Sequence, residues 1–215
     1  MNQVPLLQPT GNAGEYLIPA LGQKVKLVKW KEDDYFDTVY RALGAITAGT
    51  KLKFFTDSVT SKNLQHTNFA QQRRINSGSD MVMSRVGILI CQATGNVITD
   101  GDDILKAAYS ASIQFKIGKE RIVAEGPLVK YQTGLGMTGS TVKNNAAVLT
   151  TGVPSAAAAP QLLVAQPITD KDDLYADLAF EDGTGLNAAY VMPTMTGVTS
   201  YSIFLHGLIK DPQGA

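Results

Sequence analysis

Residues 112–124 read Ser-Ile-Gln-Phe-Lys-Ile-Gly-Lys-Glu-Arg-Ile-Val-Ala. Ile113, Phe115 and Ile117 alternate with Ser112, Gln114 and Lys116, the period-two pattern of a strand with one wet face. Gly118-Lys119-Glu120 breaks the pattern and residues 121–124 resume it, so the stretch predicts a β-hairpin. The same rhythm extends in both directions. Residues 51–55 (KLKFF) follow Gly49 and are rich in strand formers. Residues 80–91 (DMVMSRVGILIC) place Val82, Ser84, Val86, Ile88 and Ile90 on one face, while Leu89 and Cys91 turn the other face apolar. Residues 174–180 set Leu174, Ala176, Leu178 and Phe180 against Tyr175, Asp177 and Ala179; residues 201–209 (YSIFLHGLI) are apolar on both faces. Residues 24–31 (KVKLVKWK) make a further candidate strand. Helix is expected in two places: residues 33–43, where Tyr35, Phe36, Val39, Tyr40 and Leu43 fall at helical spacing, and residues 104–110, with room for two turns. Short strands separated by Gly, Asn, Asp and Pro predict an all-β sandwich or barrel.

At 215 residues the chain suits one large β domain spanning 1–215, with a sizeable core and no need of a disulfide or metal staple. Nineteen basic and nineteen acidic residues cancel. That balance argues against nucleic-acid recognition, which favours a basic field, and it removes one guard against self-association. Cys91, the one cysteine, lies in an apolar run and reads as a small buried hydrophobe; the chain suits a reducing cytoplasm. The first residues lack the basic and apolar regions of a signal peptide, and no run reaches the roughly 18 apolar residues of a membrane span. A flexible segment is expected over 1–20. Residues 133–159 form a long Gly/Ala/Thr-rich loop whose one charge is Lys143. It reads either as a linker or, given Leu135, Met137, Val142, Val148 and Leu149, as a loop ordered against another subunit.

The chemistry-bearing residues are sparse. His66 and His206 are the two histidines, without the HxH, HExxH or CxxC spacing of a metal site. His66 lies in a polar stretch and reads as solvated; His206, beside Phe204 and Leu205, reads as a hydrogen-bonded structural histidine. Residues 134–139 spell GxGxxG but follow no clear strand and open no helix, which makes a poor dinucleotide fingerprint. The frame ITDxDD occurs twice, at 98–103 and 168–173. Neither copy has the sixth-position Gly with twelfth-position Glu of an EF-hand loop, and both read as turn or helix starts. Lys24, Lys26, Lys29 and Lys31 around Trp30 form a basic run, but Glu32, Asp33 and Asp34 cancel its field at once. No catalytic residue, cofactor, metal or small-molecule substrate is expected.

Taken in order, GAITAGTKLKFFTD, TSKNLQHTNF, SGSDMVMSRVGILI, ILKAAYSASIQFKIGKERIVAEGPL and TSYSIFLHGLIKDPQ resemble jelly-roll capsid proteins of tailless icosahedral bacteriophages, above all those with an internal membrane. The most telling piece is residues 115–128, a hairpin ending in Gly126-Pro127. The resemblance implies a single jelly roll of two four-stranded antiparallel sheets and a structural role in the virion. The subunit would be made in the host cytoplasm and packed against copies of itself, other capsid or vertex proteins and an internal membrane. It supplies no catalytic residues. The alternative is a jelly-roll carbohydrate- or receptor-binding module, for which Tyr131, Tyr190 and Tyr201 are the aromatics to place; a cupin-type enzyme ranks below it because the metal ligands are missing.

Overall fold

The computed structural model describes residues 7–12, 15–26, 29–57, 62–92, 101–131, 159–181, 192–195 and 197–210. In chain order these form β1 (Gln8–Pro9), β2 (Glu15–Ile18), β3 (Gln23–Lys26), β4 (Trp30–Arg41), β5 (Gly44–Ala45), β6 (Lys51–Phe54), β7 (Asp80–Gln92) and α1 (Gly101–Ser110). Then come β8 (Ala111–Ile117), β9 (Arg121–Pro127), a 3-10 turn (Leu128–Tyr131), β10 (Gln161–Thr169), β11 (Leu174–Phe180), β12 (Thr194–Met195) and β13 (Thr199–Lys210). The chain is mostly β, as expected. One four-stranded sheet has the order β4-β13-β7-β10 and a second the order β6-β11-β8-β9, and every pairing within them is antiparallel.

The hairpin of residues 112–124 forms as predicted. β8 pairs with β9 across Gly118, whose φ of +69° closes the turn at no steric cost. β8 and β11 bury alternate residues with no exception, and Ile113, Phe115, Ile117, Leu174, Ala176, Leu178 and Phe180 all enter the core. Facing them from the other sheet are Met81, Met83, Val86, Ile88, Ile90, Tyr201, Ile203 and Leu205. One continuous apolar layer therefore holds the two sheets face to face, each large side chain contributing about 1.5–3 kcal/mol of burial.

Residues 33–43 are not helical. Residues 33–41 belong to β4, which pairs with β13 in unbroken register from Thr199↔Arg41 to Lys210↔Trp30, and 42–43 lie in the turn after it. Tyr35 and Val39 point into the sandwich, while Phe36 is half-buried and Tyr40 exposed on the outer face. Two period-two rows, both partly apolar, had imitated one helical stripe. Of residues 24–31, 24–26 belong to β3 and 30–31 to β4. The helix expected at 104–110 is present within α1.

β7 corrects a second expectation. Residues 82, 84, 86, 88 and 90 do not share one face. Met81 and Met83 point inward before Ser84, and Val86, Ile88 and Ile90 point inward after it. The cause is a β-bulge: His206 pairs with Arg85 but Gly207 pairs with Met83, which leaves Ser84 extra. The shift turns Val82 outward beside Leu208, and there it meets a second apolar cluster. That cluster is capped by the small sheet β1-β2-β3 through Ile18, with Leu7, Ala20, Leu21, Val25 and Trp30 around it. β1 and β2 lie within the segment expected to be flexible, 1–20. Gly207 is required at the bulge because a Cβ there would stand 2.1 Å from the Val82 carbonyl oxygen. Cys91 is half-buried on the outer face of the strand, not in the core.

The long loop at 133–159 lies, except for Ala159, outside the described residues, as do the GxGxxG stretch and Tyr190.

Candidate interaction surface

His206 stands on the outer face of β13, its ring parallel to Phe204 at 5.9 Å. Its Nδ1 is 3.8 Å from Asp34 Oδ2, while its buried Nε2 finds no hydrogen-bond partner among the described residues. The expected hydrogen bond is not found at Nε2 among the described residues. Burial lowers the imidazole pKa below 6.5, with Arg85 pushing the same way against a weaker pull from Glu32. Burial, then the neighbouring Asp33 charge, raise Asp34. The imidazole is therefore neutral at pH 7, and the 3.8 Å approach is not an ion pair there. Phe204, Asp34 and Arg85 give it no nucleophile to activate. His66 is half-buried and meets the edge of the exposed Tyr40 ring at 4.9 Å. Among the described residues no group of three or more His, Cys, Asp or Glu side chains is arranged to hold a metal. No helix among them is long and apolar enough to cross a membrane.

The second ITDxDD copy is a turn joining β10 to β11. The Thr169 amide and hydroxyl both donate to Asp172 Oδ2, at 2.7 and 2.9 Å. Asp170 accepts the Gly78 amide at 2.8 Å, and Asp173 holds Arg74 Nε at 2.8 Å. These carboxylates staple a neighbouring loop rather than converge on an ion. In the first copy residues 98–100 lie outside the described residues, and Gly101 begins α1. Lys24, Lys26, Lys29 and Lys31 are exposed, whereas Val25 and Trp30 between them pack on the second apolar cluster. Near the paired ends of β4 and β13 a cleft of about 150 Å³ is lined by Lys31, Asp33, Asp34, Asn68, Asn76 and Lys210, among others. Lys31 pairs with Asp33 at 2.6 Å and Lys210 with Asp80 at 3.0 Å, so its cations are met by carboxylates. Tyr131 and Tyr201 are both buried, Tyr201 fully; neither offers a ring to a sugar.

What distinguishes the surface is the treatment of the sheet edges, where unpaired backbone groups invite another strand. The β4 edge is covered by residues 62–69. The Thr38 amide donates to the His66 carbonyl at 2.7 Å, and the Asn68 amide donates to the Phe36 carbonyl at 3.3 Å. The Asn68 side chain acts as a further length of strand: its Oδ1 accepts the Phe36 amide at 2.8 Å and its Nδ2 donates to the Asp34 carbonyl at 2.8 Å. Beneath this strap lies Asp37, fully buried on the core face of β4. It accepts the Phe55 amide at 2.7 Å and Lys62 Nζ at 2.8 Å. Phe55 is held at φ +62°, a conformation that bulky residues avoid; its carbonyl accepts the Arg73 amide at 2.8 Å and its ring packs on Phe69 at 4.8 Å.

The opposite flank is different. Arg121 of β9 donates to the Pro167 carbonyl of β10 at 3.3 Å, which places these two outer strands on one side of the sandwich. Pairing of β10 with β7 jumps from Gln161↔Arg85 to Gln166↔Met83, so residues 162–165 bow out opposite Ser84 with no place in the ladder. Leu163 and Val164, at 67% and 61% exposure, stand on this bow, and Ile122 of β9 is 47% exposed. β10 contains no charged residue. By contrast β6 presents exposed Lys51 and Lys53, and β9 carries exposed Arg121 and Glu125 before ending at Pro127. Leu43 and Leu64 are as exposed as Leu163, but they sit in turns whose carbonyls are taken up locally by Arg41 and by the amides of His66 and Thr67.

Neither the β4 strap nor the β10 bow was anticipated from sequence. An Asp between Phe36 and Val39 in a run of strand formers was the available signal for the first. An uncharged stretch, QLLVAQPI, with a proline that suits an edge strand was the signal for the second. Comparison with known protein families and with curated proteins finds no match.

Proposed function

We propose that this chain is a structural shell subunit built on a jelly roll, which associates with copies of itself to form the icosahedral capsid of a tailless bacteriophage and carries no catalytic site. One observation carries the reading. Counting the eight sandwich strands in chain order, one sheet runs first-eighth-third-sixth and the other second-seventh-fourth-fifth. Two interleaved Greek keys give that order, the arrangement used by viral shells, lectins and cupins. A fold of this kind hosts many activities, so the choice among them rests on the surface. Supporting a shell are a net charge of zero, a continuous apolar core, and one uncharged edge left open among the described residues. Other copies of the chain, vertex proteins and an internal membrane are the proposed neighbours; the proposed location is the virion, after synthesis in the host cytoplasm.

A carbohydrate- or receptor-binding module is the second reading. It is favoured by the half-buried aromatic row on the outer sheet face, where Phe36 stacks on Phe204 at 5.9 Å and Phe204 on His206. Light scattering and negative-stain microscopy of the purified protein separate the two. Shells, capsomers or concentration-dependent association support a shell subunit. A monomer of 23.0 kDa at every concentration, binding a glycan array, overturns it.

A further inference from the structure

We propose that the open β10 edge is the contact through which two copies of this chain first associate, β10 of one pairing antiparallel with β10 of the other across a twofold axis. The inference rests on the shell reading and names the surface that reading leaves unspecified.

Three observations select this edge and this occupant. First, the strap of residues 62–69 already occupies β4, through the His66 carbonyl and both ends of the Asn68 amide. Second, an antiparallel contact across a twofold axis sets residue i against residue j of the copy and j against i, so a strand whose charges share one sign meets like charge. Self-pairing of β6 sets lysine against lysine, through Lys51 and Lys53, while the charged residues of β9 are already engaged, Arg121 with the Pro167 carbonyl and Glu125 with the Gln114 amide. Like charges directly opposite each other destabilise a strand pair. β10 brings together only Gln, Leu, Val, Ala, Pro, Ile and Thr, so no register of self-pairing opposes like charges, and it is the one outer strand of the two four-stranded sheets without a charge. Third, the β10 bow frees residues 162–165 from the β7 ladder and presents Leu163 and Val164 to water at more than half exposure. Covering two such side chains from each copy removes apolar area from water, while the released backbone groups gain a ladder partner.

The test uses the full chain and three arms. In the first, Leu163→Lys with Val164→Lys is compared with wild type and with Leu43→Lys plus Leu64→Lys, which places the same charges on turns. The expected result is at least an about tenfold loss of association for the β10 variant, unchanged association for the turn variant, and the same melting temperature for all three. In the second arm, mixing the β10 lysine variant with Leu163→Glu plus Val164→Glu restores association, because only a self-facing contact sets the opposite charges together. In the third, Val164→Cys in a Cys91→Ser background forms a disulfide-linked dimer on mild oxidation, whereas Leu64→Cys does not. This arm decides the matter if the lysine variant fails to fold. Wild type that associates while the β10 lysine variant associates equally well overturns the β10 contact and leaves the shell reading standing. So does a dimer crosslinked through Leu64→Cys alone. Wild type that never associates overturns both.

Discussion

The two flanks of the sandwich solve the same problem in opposite ways. On the β4 side the chain folds back over its own edge, satisfies it with the backbone of His66 and the side chain of Asn68, and locks the cover with Lys62 on the buried Asp37. On the β10 side no strap crosses the strand among the described residues, the strand carries no lysine, and the ladder is interrupted. Natural sheets guard exposed edges against unwanted pairing. A molecule that guards one flank so thoroughly and leaves the other open and uncharged has directional edges, and direction is what ordered association requires.

The sharpest way to break the contrast is to release the lock. Lys62→Met leaves the Asp37 carboxylate buried with only the Phe55 amide, and loss of one partner of a buried pair costs about 3–5 kcal/mol. Lys62 keeps 16% side-chain exposure, so the lower end applies. Urea unfolding measures the loss, and association that no longer depends on Leu163 and Val164 would mark the uncovered β4 edge. Next in size is Gly207→Ala. Its methyl group would sit against backbone, not a movable side chain, so the bulge that bows β10 outward has to shift, at about 1–3 kcal/mol. A melting-temperature series measures it.

Asn68→Ala weakens the closed flank more gently. It unpairs the Phe36 amide and the Asp34 carbonyl at an edge that water can reach, for about 1–2 kcal/mol. Hydrogen exchange at the Phe36 amide should quicken while exchange in β8 and β11 stays slow. The smallest effect is a pH dependence. His206 has its folded pKa depressed below 6.5, so the unfolded chain binds the proton more readily. Stability is therefore full above about pH 6.5 and falls as the pH drops from there toward the folded pKa. His206→Gln should flatten the melting temperature between about pH 5 and pH 7, the range around the imidazole's ordinary value.

The strands that were plain in the sequence are those with one wet face. β8 and β11 alternate without fault because one side meets the core and the other meets water. β4 was hidden because its outer residues Phe36 and Tyr40 meet Phe204 and His66, so no polar row remained to reveal the period. The frame shift in β7 was unreadable for another reason. Nothing near Ser84 announces a bulge; it is fixed by Gly207, more than a hundred residues away, and by the apolar cover on Val82. The interaction surface was legible only as composition. Uncharged residues 161–168 were visible, but which edges the fold would close depends on contacts such as Asn68 with Phe36 that no local pattern encodes.

β13 also dictates a timetable. It lies between β4 and β7, pairing with each along twelve of its residues, yet the ribosome makes it some hundred residues after β7. Until it emerges, β4 and β7 have no neighbour to join them, and the cluster around Ile18 lacks Leu208. The nascent chain must wait with its aromatic strands uncovered, a slow, non-local closure. Placing the keystone last leaves exposed surface during synthesis, the condition under which folding intermediates associate wrongly.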